Sequence, residues 1–196
     1  MKAAQFKDYG GPEVTVINEV AKPTPSSDQV LIKVSAATIN PFDYKVRRGY
    51  MKDAMPLQLP MTLGGNLSGV VVEVGEGVTD FKAGDEVYGQ SYAFGGGSGA
   101  IAEFAVSNSE NIAIKPKNID HIQAGAIPLV GVSAIQALEQ HINLKKGQKI
   151  LIHGGAGGIG SIAIQLAKHL GAYVATTASS EEIEFVKSLG ADEVIN

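Results

Sequence analysis

The chain of 196 residues contains no cysteine and no tryptophan. Without cysteine there is no disulfide framework and no thiolate site for zinc. Basic charge is also sparse, because 16 Lys and Arg stand against 20 Asp and Glu and no basic run exceeds two residues. A surface for nucleic acid or for an anionic membrane is therefore disfavoured. The sequence also lacks an apolar run near the ~18 residues of a membrane span and a signal-peptide pattern, so we expect a cytoplasmic enzyme.

Glycine, by contrast, is abundant. The 24 glycines are about 12% of the chain, against a usual ~7%. Hydrophobic residues make up 44% and charged residues 18%, as in globular proteins. So many glycines in a globular chain indicate tight turns or close approaches of the backbone to a ligand.

The first part of the chain has the pattern of short strands separated by turns. Apolar residues at 30, 32, 34 and 36 alternate with polar ones, and the segments 69–74 and 86–88 predict further strands ending at glycines. Strands at this spacing predict a small, curled, mostly antiparallel β domain over residues 1–122.

From about residue 123 the pattern changes to alternating helices and strands. A helix with Ile135, Leu138 and Ile142 on one side precedes an apolar strand at 150–153. The next helix carries one apolar stripe, formed by Ile159, Ile162, Ala163, Leu166, Ala167 and Leu170. A strand at 173–177, a helix and a third strand follow. This βαβαβ order predicts the first half of a doubly wound parallel sheet over residues 123–196.

The turn between the first strand and helix of this second part fits G-x-G-x-x-G. It reads Gly155-Ala156-Gly157-Gly158-Ile159-Gly160, leaves a strand and opens a helix, which is the context that makes the motif specific. Its glycines permit a tight turn, close approach to a pyrophosphate and close packing of helix on strand. The helix N-terminus attracts the anion. The alternative is a structural turn without a ligand.

The end of the second strand bears on which dinucleotide binds. An NAD site usually has an acid about 20 residues after the motif begins. Residues 176–180 contain none, which favours NADPH over NADH and makes Thr177, Ser179 and Ser180 candidate contacts. Glu181 and Glu182 follow, however. They either start the next helix, with Ser179 and Glu182 as a capping box, or contact the ribose.

Five segments together resemble a known family. They are GGPEV at 10–14, NPFDYKVRRG at 40–49, GNLSGVVVEVGEGVTDFKAGDEVYG at 65–89, AGAIPLVGVSAIQAL at 124–138 and IHGGAGGIG at 152–160. In this order they resemble the zinc-independent medium-chain dehydrogenase/reductases of the quinone oxidoreductase (zeta-crystallin-like) branch. The resemblance implies a GroES-like β domain, a Rossmann domain and an active site between them. It also implies reduction of quinones or of the C=C bond of enones by NAD(P)H.

The sequence disfavours a catalytic zinc ion. Zinc-dependent relatives carry a ligand Cys where this chain has Asn40-Pro41, and Gly-His-Glu where it has Gly64-Gly65-Asn66. The four histidines are scattered without the spacing of ligands. We therefore expect no metal.

The resemblance also implies candidate catalytic residues. Asn40 lies at the active site of relatives, where its amide can donate a hydrogen bond to a carbonyl oxygen. Tyr44 and Lys45 follow on the same segment and can polarise that oxygen, and Lys45 matches a lysine of alkenal-reducing relatives. Ser133 corresponds to a hydroxyl near the nicotinamide. The alternatives are a turn at Asn40, a solvated face at Lys45 and helix packing at Ser133.

Two other functions stay open at this point: a non-catalytic, crystallin-like protein and an enoyl-thioester reductase. A complete doubly wound domain has about six strands, whereas this chain supplies three. We therefore expect more than a hundred further residues in the complete protein, which by resemblance forms a homodimer. A chain ending at Asn196 should bind NADPH weakly and have negligible reductase activity.

Overall fold

A computed structural model describes all residues from Met1 to Asn196. Contacts divide the chain into two compact units, residues 1–128 and 129–196. The division falls later than the boundary near 122 expected from the sequence, because a short helix at His121–Ala126 packs against strands of the first unit. None of the helices combines the length and apolar character that crossing a bilayer requires.

The first unit consists of two antiparallel sheets and two short helices. Its strands are β1 (Lys2–Phe6), β2 (Thr15–Glu19), β3 (Gln29–Thr38), β4 (Met61–Thr62), β5 (Asn66–Val74), β6 (Glu86–Gln90), β7 (Phe104–Asn108) and β8 (Ile112–Ile114). Its helices are α1 (Pro41–Arg47) and α2 (His121–Ala126). The strand orders are β7-β3-β5-β6-β8 and β2-β1-β4. This arrangement confirms the predicted antiparallel domain.

Two apolar clusters hold this unit together. The larger is formed inside the five-stranded sheet by Val30, Ile32, Leu67, Val71, Val87, Ala100, Ala105 and Ile112. The smaller contains Phe6, Val46, Met61 and Leu63. Since Val46 lies on α1 and is 4% exposed, this second cluster fixes α1 against β1 and β4, and with it the segment that carries Asn40.

The second unit is a parallel sheet with helices. It contains all but the first residue of α3 (Pro128–Ile135). A π-helical turn (Gln136–His141), β9 (Lys149–Ile152), α4 (Gly158–His169), β10 (Tyr173–Thr177), α5 (Ile183–Ser188) and β11 (Glu193–Ile195) follow. The strand order β11-β10-β9, parallel throughout, is the predicted 3-2-1 order. The strand that precedes the glycine turn is therefore an edge of this sheet.

The predicted apolar stripes are only partly correct. On α4, Ala163 and Ala167 are buried and Ile162, Leu166 and Leu170 pack beside them, but Ile159 is 49% exposed. On the preceding helix Leu138 is buried, whereas Ile135 and Ile142 are exposed. The helix widens into a π turn from residue 136, so side chains beyond it no longer follow the 3.6-residue period.

Candidate functional site

The glycine turn before α4 is fixed by packing at two of its glycines. A Cβ on Gly155 would collide with the Thr176 hydroxyl and lie 2.8 Å from Ile164 Cδ1. A Cβ on Gly160 would collide with the Gly154 carbonyl oxygen and lie 2.8 Å from Gly155 Cα. Only glycine lets the helix approach the strand this closely at these positions, which is the packing role that the motif predicts.

Gly157 differs from these two glycines because it is not required by packing. It is the N-cap residue of α4, with extended φ and ψ of −72° and 168° and no side chain capping the helix. A Cβ there would meet only the Gly154 carbonyl oxygen, at 3.2 Å. The first turn of α4 thus presents backbone N–H groups to a space that no protein side chain fills, and these are the groups that bind phosphate in dinucleotide sites.

Thr177 ties the turn to the end of β10. The Gly154 N–H donates to Thr177 Oγ1 at 2.9 Å, and the Gly155 N–H donates to the Thr177 carbonyl oxygen at 3.0 Å. These bonds set the height of the glycine turn above the sheet. The Thr177 hydroxyl proton is not used in these two bonds; its other neighbour is His153 Nδ1 at 3.5 Å, a long contact that a ligand acceptor can replace.

A groove of about 410 Å³ runs from the glycine turn to the end of the third strand. Its walls are formed by Gly154, Ala156, Gly157, Thr177, Ala178, Ser179, Glu182, Ile195 and Asn196. The structure thus brings together Ala156, Gly157, Thr177 and Ser179 from the sequence-based candidates. Ser180 lies beside the groove, where its hydroxyl accepts a hydrogen bond from Asn196 Nδ2 at 2.8 Å.

Glu182, not Glu181, lines this groove. Its carboxylate accepts from the Ser179 hydroxyl at 2.8 Å and, more weakly, from the Ser179 N–H at 3.4 Å, which confirms the predicted capping box. The two alternatives left by the sequence are therefore compatible, since one carboxylate both starts a helical turn and faces the groove. Asn196 was not expected there; as the residue after the third strand it reaches the same edge of the sheet as Thr177.

Ser133 is not among the residues that line the groove. Its hydroxyl donates to the Leu129 carbonyl oxygen at 2.8 Å within α3. This is the hydrogen bond that serine commonly makes inside a helix. The geometry agrees with the packing alternative, and a contact with cofactor stays a prediction.

Asn40 lies at the start of α1 and is 6% exposed. Pro41 follows it, and the residue before proline is restricted to extended conformations; Asn40 accordingly has φ and ψ of −108° and 159°. Its N–H donates to Asp43 Oδ2 at 2.6 Å. Its side-chain Nδ2 is buried and has no hydrogen-bond partner in the protein. A buried amide donor left unpaired costs about 1–3 kcal/mol, which makes it a candidate for contact with a ligand.

Tyr44 and Lys45 are both exposed on α1 but face different surroundings. Tyr44 lines a cavity of about 290 Å³ together with Asp43 and Arg47. The Arg48 guanidinium lies 5.8 Å from the Tyr44 ring and donates to the Tyr50 hydroxyl at 3.3 Å. The Lys45 carbonyl oxygen accepts from the Tyr50 N–H at 3.1 Å, whereas its exposed side chain makes no hydrogen bond or ion pair. The structure thus gives Tyr44 a pocket and leaves the Lys45 ammonium free.

Two polar residues near Asn40 were not singled out from the sequence. Burial raises the pKa of the Asp43 carboxyl group, although the bond from the Asn40 N–H opposes this. Burial, together with the nearby Asp43 charge, raises the pKa of Tyr92 to about 12, and the Tyr92 hydroxyl has no partner. The spacing Asn-Pro-x-Asp was the available signal for Asp43, because it places an acid three residues after an N-cap asparagine.

The residues do not fit a catalytic zinc ion. No three or more His, Asp or Glu side chains lie together as metal ligands require, and the chain has no Cys. At Gly65 a side chain would collide with the Tyr92 ring, so the histidine of zinc-dependent relatives has no room. Asn66 beside it is fully buried, with neither its amide oxygen nor its nitrogen hydrogen-bonded.

Comparison with known proteins places both parts of the chain in one superfamily. Residues 26–117 match the alcohol dehydrogenase GroES-like domain, and residues 158–196 match the family described as zinc-binding dehydrogenase.

Individual relatives cover the whole chain. A chloroplast envelope quinone oxidoreductase homolog of Arabidopsis thaliana is 40% identical over 100% of this chain and 61% of its own length. The NADPH-dependent alkenal/one oxidoreductase of the same plant is 44% identical over 100% of the chain and 52% of its own length. The structure of Escherichia coli quinone oxidoreductase complexed with NADPH superposes with a TM-score of 0.89 at 33% identity, covering 100% of the chain and 58% of that protein.

This chain therefore spans between half and two thirds of the length of these relatives. The fold, the glycine turn and the matches along the entire chain agree. The chain belongs to the quinone oxidoreductase branch of the medium-chain dehydrogenase/reductase family.

Proposed function

We propose that the protein reduces quinones, or the C=C bond of α,β-unsaturated carbonyl compounds, with NADPH and without zinc. The observation that carries this proposal is the glycine turn before α4, where Gly157 leaves an uncapped helix end facing a groove. Relatives whose names include NADPH and quinone or alkenal substrates support the choice of cofactor and substrate class.

The second unit would hold the dinucleotide. The N–H groups at the start of α4 bind the pyrophosphate, and Gly157 admits it because a glycine has no side chain in its path. Thr177 can donate a hydroxyl hydrogen bond farther along the groove, and Ser179, whose own proton goes to Glu182, can accept one there. The acid-free end of β10 supports NADPH over NADH, with Glu182 moderating the preference. When bound, NADPH supplies the hydride.

The first unit would bind the oxygen of the substrate. As hydride arrives, negative charge develops on the carbonyl or quinone oxygen, and fixed hydrogen-bond donors stabilise this charge best. Asn40 Nδ2 is such a donor, because it is buried and unpaired within the protein. The Lys45 ammonium and the Tyr44 hydroxyl on the same helix add charge and a further donor. These three residues take the role that a zinc ion has in metal-dependent relatives.

Location and assembly complete the proposal. We propose a cytoplasmic homodimer acting on small molecules, with no nucleic acid or membrane as partner. The net charge of −4 disfavours a polyanionic partner, although some relatives are named as chloroplast proteins.

Substitution of Asn40 in the natural protein tests the proposed function directly. Asn40→Ala should lower kcat for quinone or enone reduction by about tenfold to a hundredfold, because one donor to the developing charge is lost. The Kd for NADPH should stay the same. Lys33→Ala, at an exposed position on β3, is the matched control and should change neither value. An unchanged kcat in Asn40→Ala would show that Asn40 only forms the turn before α1 and does not donate to the substrate.

A further inference from the structure

We propose that Asp43 is a positioning residue for this reaction: its buried carboxyl group fixes the backbone of Asn40 and so aims the Asn40 carboxamide. This inference rests on the proposed function, in which Asn40 donates to the substrate oxygen. Asp43 itself touches neither substrate nor cofactor in this account.

The geometry around Asn40 is that of a clamp with two hydrogen bonds. The Asn40 N–H donates to Asp43 Oδ2 at 2.6 Å, and the Asp43 N–H donates back to the Asn40 carbonyl oxygen at 2.9 Å. Pro41 between them has a fixed φ and restricts Asn40 to extended backbone. With both peptide groups of Asn40 held, the direction of its Cα–Cβ bond is fixed, and in the capping box that Asn40 forms with Asp43 the Asn40 side chain also faces the Asp43 backbone N–H.

A buried carboxyl group is energetically unfavourable in this turn, because burial removes water from its charged form. Asp43 and Asn40 are each 6% exposed, and burial raises the pKa of the Asp43 carboxyl group. A serine or threonine at the N-cap would start a helix without burying an acid. The N-cap instead keeps its own amide nitrogen free of any partner. Asn40 and Asp43 thus form a capping box in which the Asp43 carboxylate accepts from the Asn40 N–H, while the Asn40 amide nitrogen keeps no partner.

The surroundings of Asp43 keep its carboxyl group in place. On one side it lines the cavity of about 290 Å³ with Tyr44 and Arg47. On the other it lines a small void of about 10 Å³ with Tyr92, whose hydroxyl has no partner. A void of this size holds at most one water, so the carboxyl group has little room to move toward Tyr92, and on the side of the larger cavity the hydrogen bond from the Asn40 N–H holds it.

A double-mutant cycle on the natural protein tests the inference. Asp43→Asn keeps an oxygen that can accept from the Asn40 N–H and should retain kcat within about twofold, since a neutral acceptor replaces the charged one at little cost. Asp43→Ala removes the acceptor and should lower kcat by about tenfold to a hundredfold, as Asn40→Ala does. The double variant Asn40→Ala/Asp43→Ala should be no slower than Asn40→Ala alone, because two residues acting as one unit are not additive.

NMR spectroscopy can report the position of the Asn40 carboxamide without measuring turnover. In the wild type, the Nδ2 protons of Asn40 should give NMR signals displaced from those of exposed asparagines, assigned by their loss in Asn40→Ala. In Asp43→Ala these signals should move toward the positions of exposed asparagines while those of other asparagines stay, and in Asp43→Asn they should keep their wild-type positions. If Asp43→Ala does not fold, Asp43→Leu, which keeps the branched shape of the side chain and loses the acceptor, takes its place.

Each outcome decides a different claim. A loss of kcat in Asp43→Asn, or a further loss in the double variant, would show that Asp43 acts as an acid or independently of Asn40, and would overturn the inference. Unchanged Asn40 signals in Asp43→Ala would overturn it as well. An unchanged kcat in Asn40→Ala alone would instead remove the proposed donor role, while the NMR signals would still decide whether Asp43 orients the carboxamide.

Discussion

Replacing Gly157 by serine should weaken NADPH binding while leaving the free protein as stable as the wild type or slightly more stable. Gly157 is the N-cap of α4, has an extended conformation that serine adopts readily and leaves the first turn without a side-chain cap. A serine hydroxyl there would accept from an N–H of the first turn. The same N–H groups are those that we assign to the pyrophosphate, so the cap and the ligand compete.

The size of each effect follows from the hydrogen bonds that serine adds in the free protein and removes in the NADPH complex. Serine is a better N-cap than glycine by only a few tenths of a kcal/mol, and the contact of the new Cβ with the Gly154 oxygen at 3.2 Å offsets part of this. Losing one hydrogen bond to a charged phosphate costs about 1.5–3 kcal/mol, which is roughly a tenfold to hundredfold rise in Kd. The melting temperature of the free protein should therefore stay the same or rise slightly.

Gly160→Ala is the matched control. Its Cβ would collide with the Gly154 oxygen and crowd Gly155 Cα, and overpacking of this kind costs about 1–3 kcal/mol. Differential scanning calorimetry without ligand and calorimetric titration with NADPH separate the two variants. The reasoning is refuted if Gly157→Ser binds NADPH as tightly as the wild type, or if Gly160→Ala leaves the melting temperature unchanged.

Two further predictions concern charge. Because Glu182 lines the groove and Glu181 does not, Glu182→Gln should raise the ratio of NADPH to NADH affinity by removing repulsion from the 2′-phosphate; an equal effect of Glu181→Gln in the same titrations would contradict this. The Lys168 ammonium and the Val174 N–H hold the pKa of Asp192 below its ordinary value. Its stabilising contribution is thus present above that ordinary value and lost as the pH falls through the lower folded pKa, below about pH 4. Asp192→Asn should flatten the fall of melting temperature in this range, and an unchanged slope would speak against the assignment.

The sequence predicted those features of the fold that depend on local pattern. The strand at 173–177, the parallel order of the second unit and the end of α4 at Gly171 follow from periodicity and from glycine at positive φ. The buried face of the helix that follows Pro128 could not be predicted from the sequence, because a π turn changes the helical period. Periodicity also missed Ile164, which is fully buried next to an exposed part of the same helix.

Some residues of the candidate site could be predicted from the sequence, and others could not. The glycine turn carries its own signal, because within six residues Gly155 and Gly160 are required by packing and Gly157 leaves the end of the helix open. Tyr92 occupies the space beside Gly65 from a distant part of the sequence, and Asp43, whose spacing from Asn40 is a local signal, is buried only by the fold. Their roles depend on which atoms are left without partners, and that depends on packing that spacing along the chain does not encode.

The most direct test of the central claim is NADPH oxidation by the protein as expressed from its own gene, after prolonged treatment with EDTA. Quinones, enones and saturated ketones should be supplied in parallel, with NADH as the comparison cofactor. We predict oxidation of NADPH with quinones or enones, little with saturated ketones, a lower kcat/KM with NADH and no effect of EDTA. Reduction of saturated ketones that requires added zinc, or preference for NADH, would contradict the account.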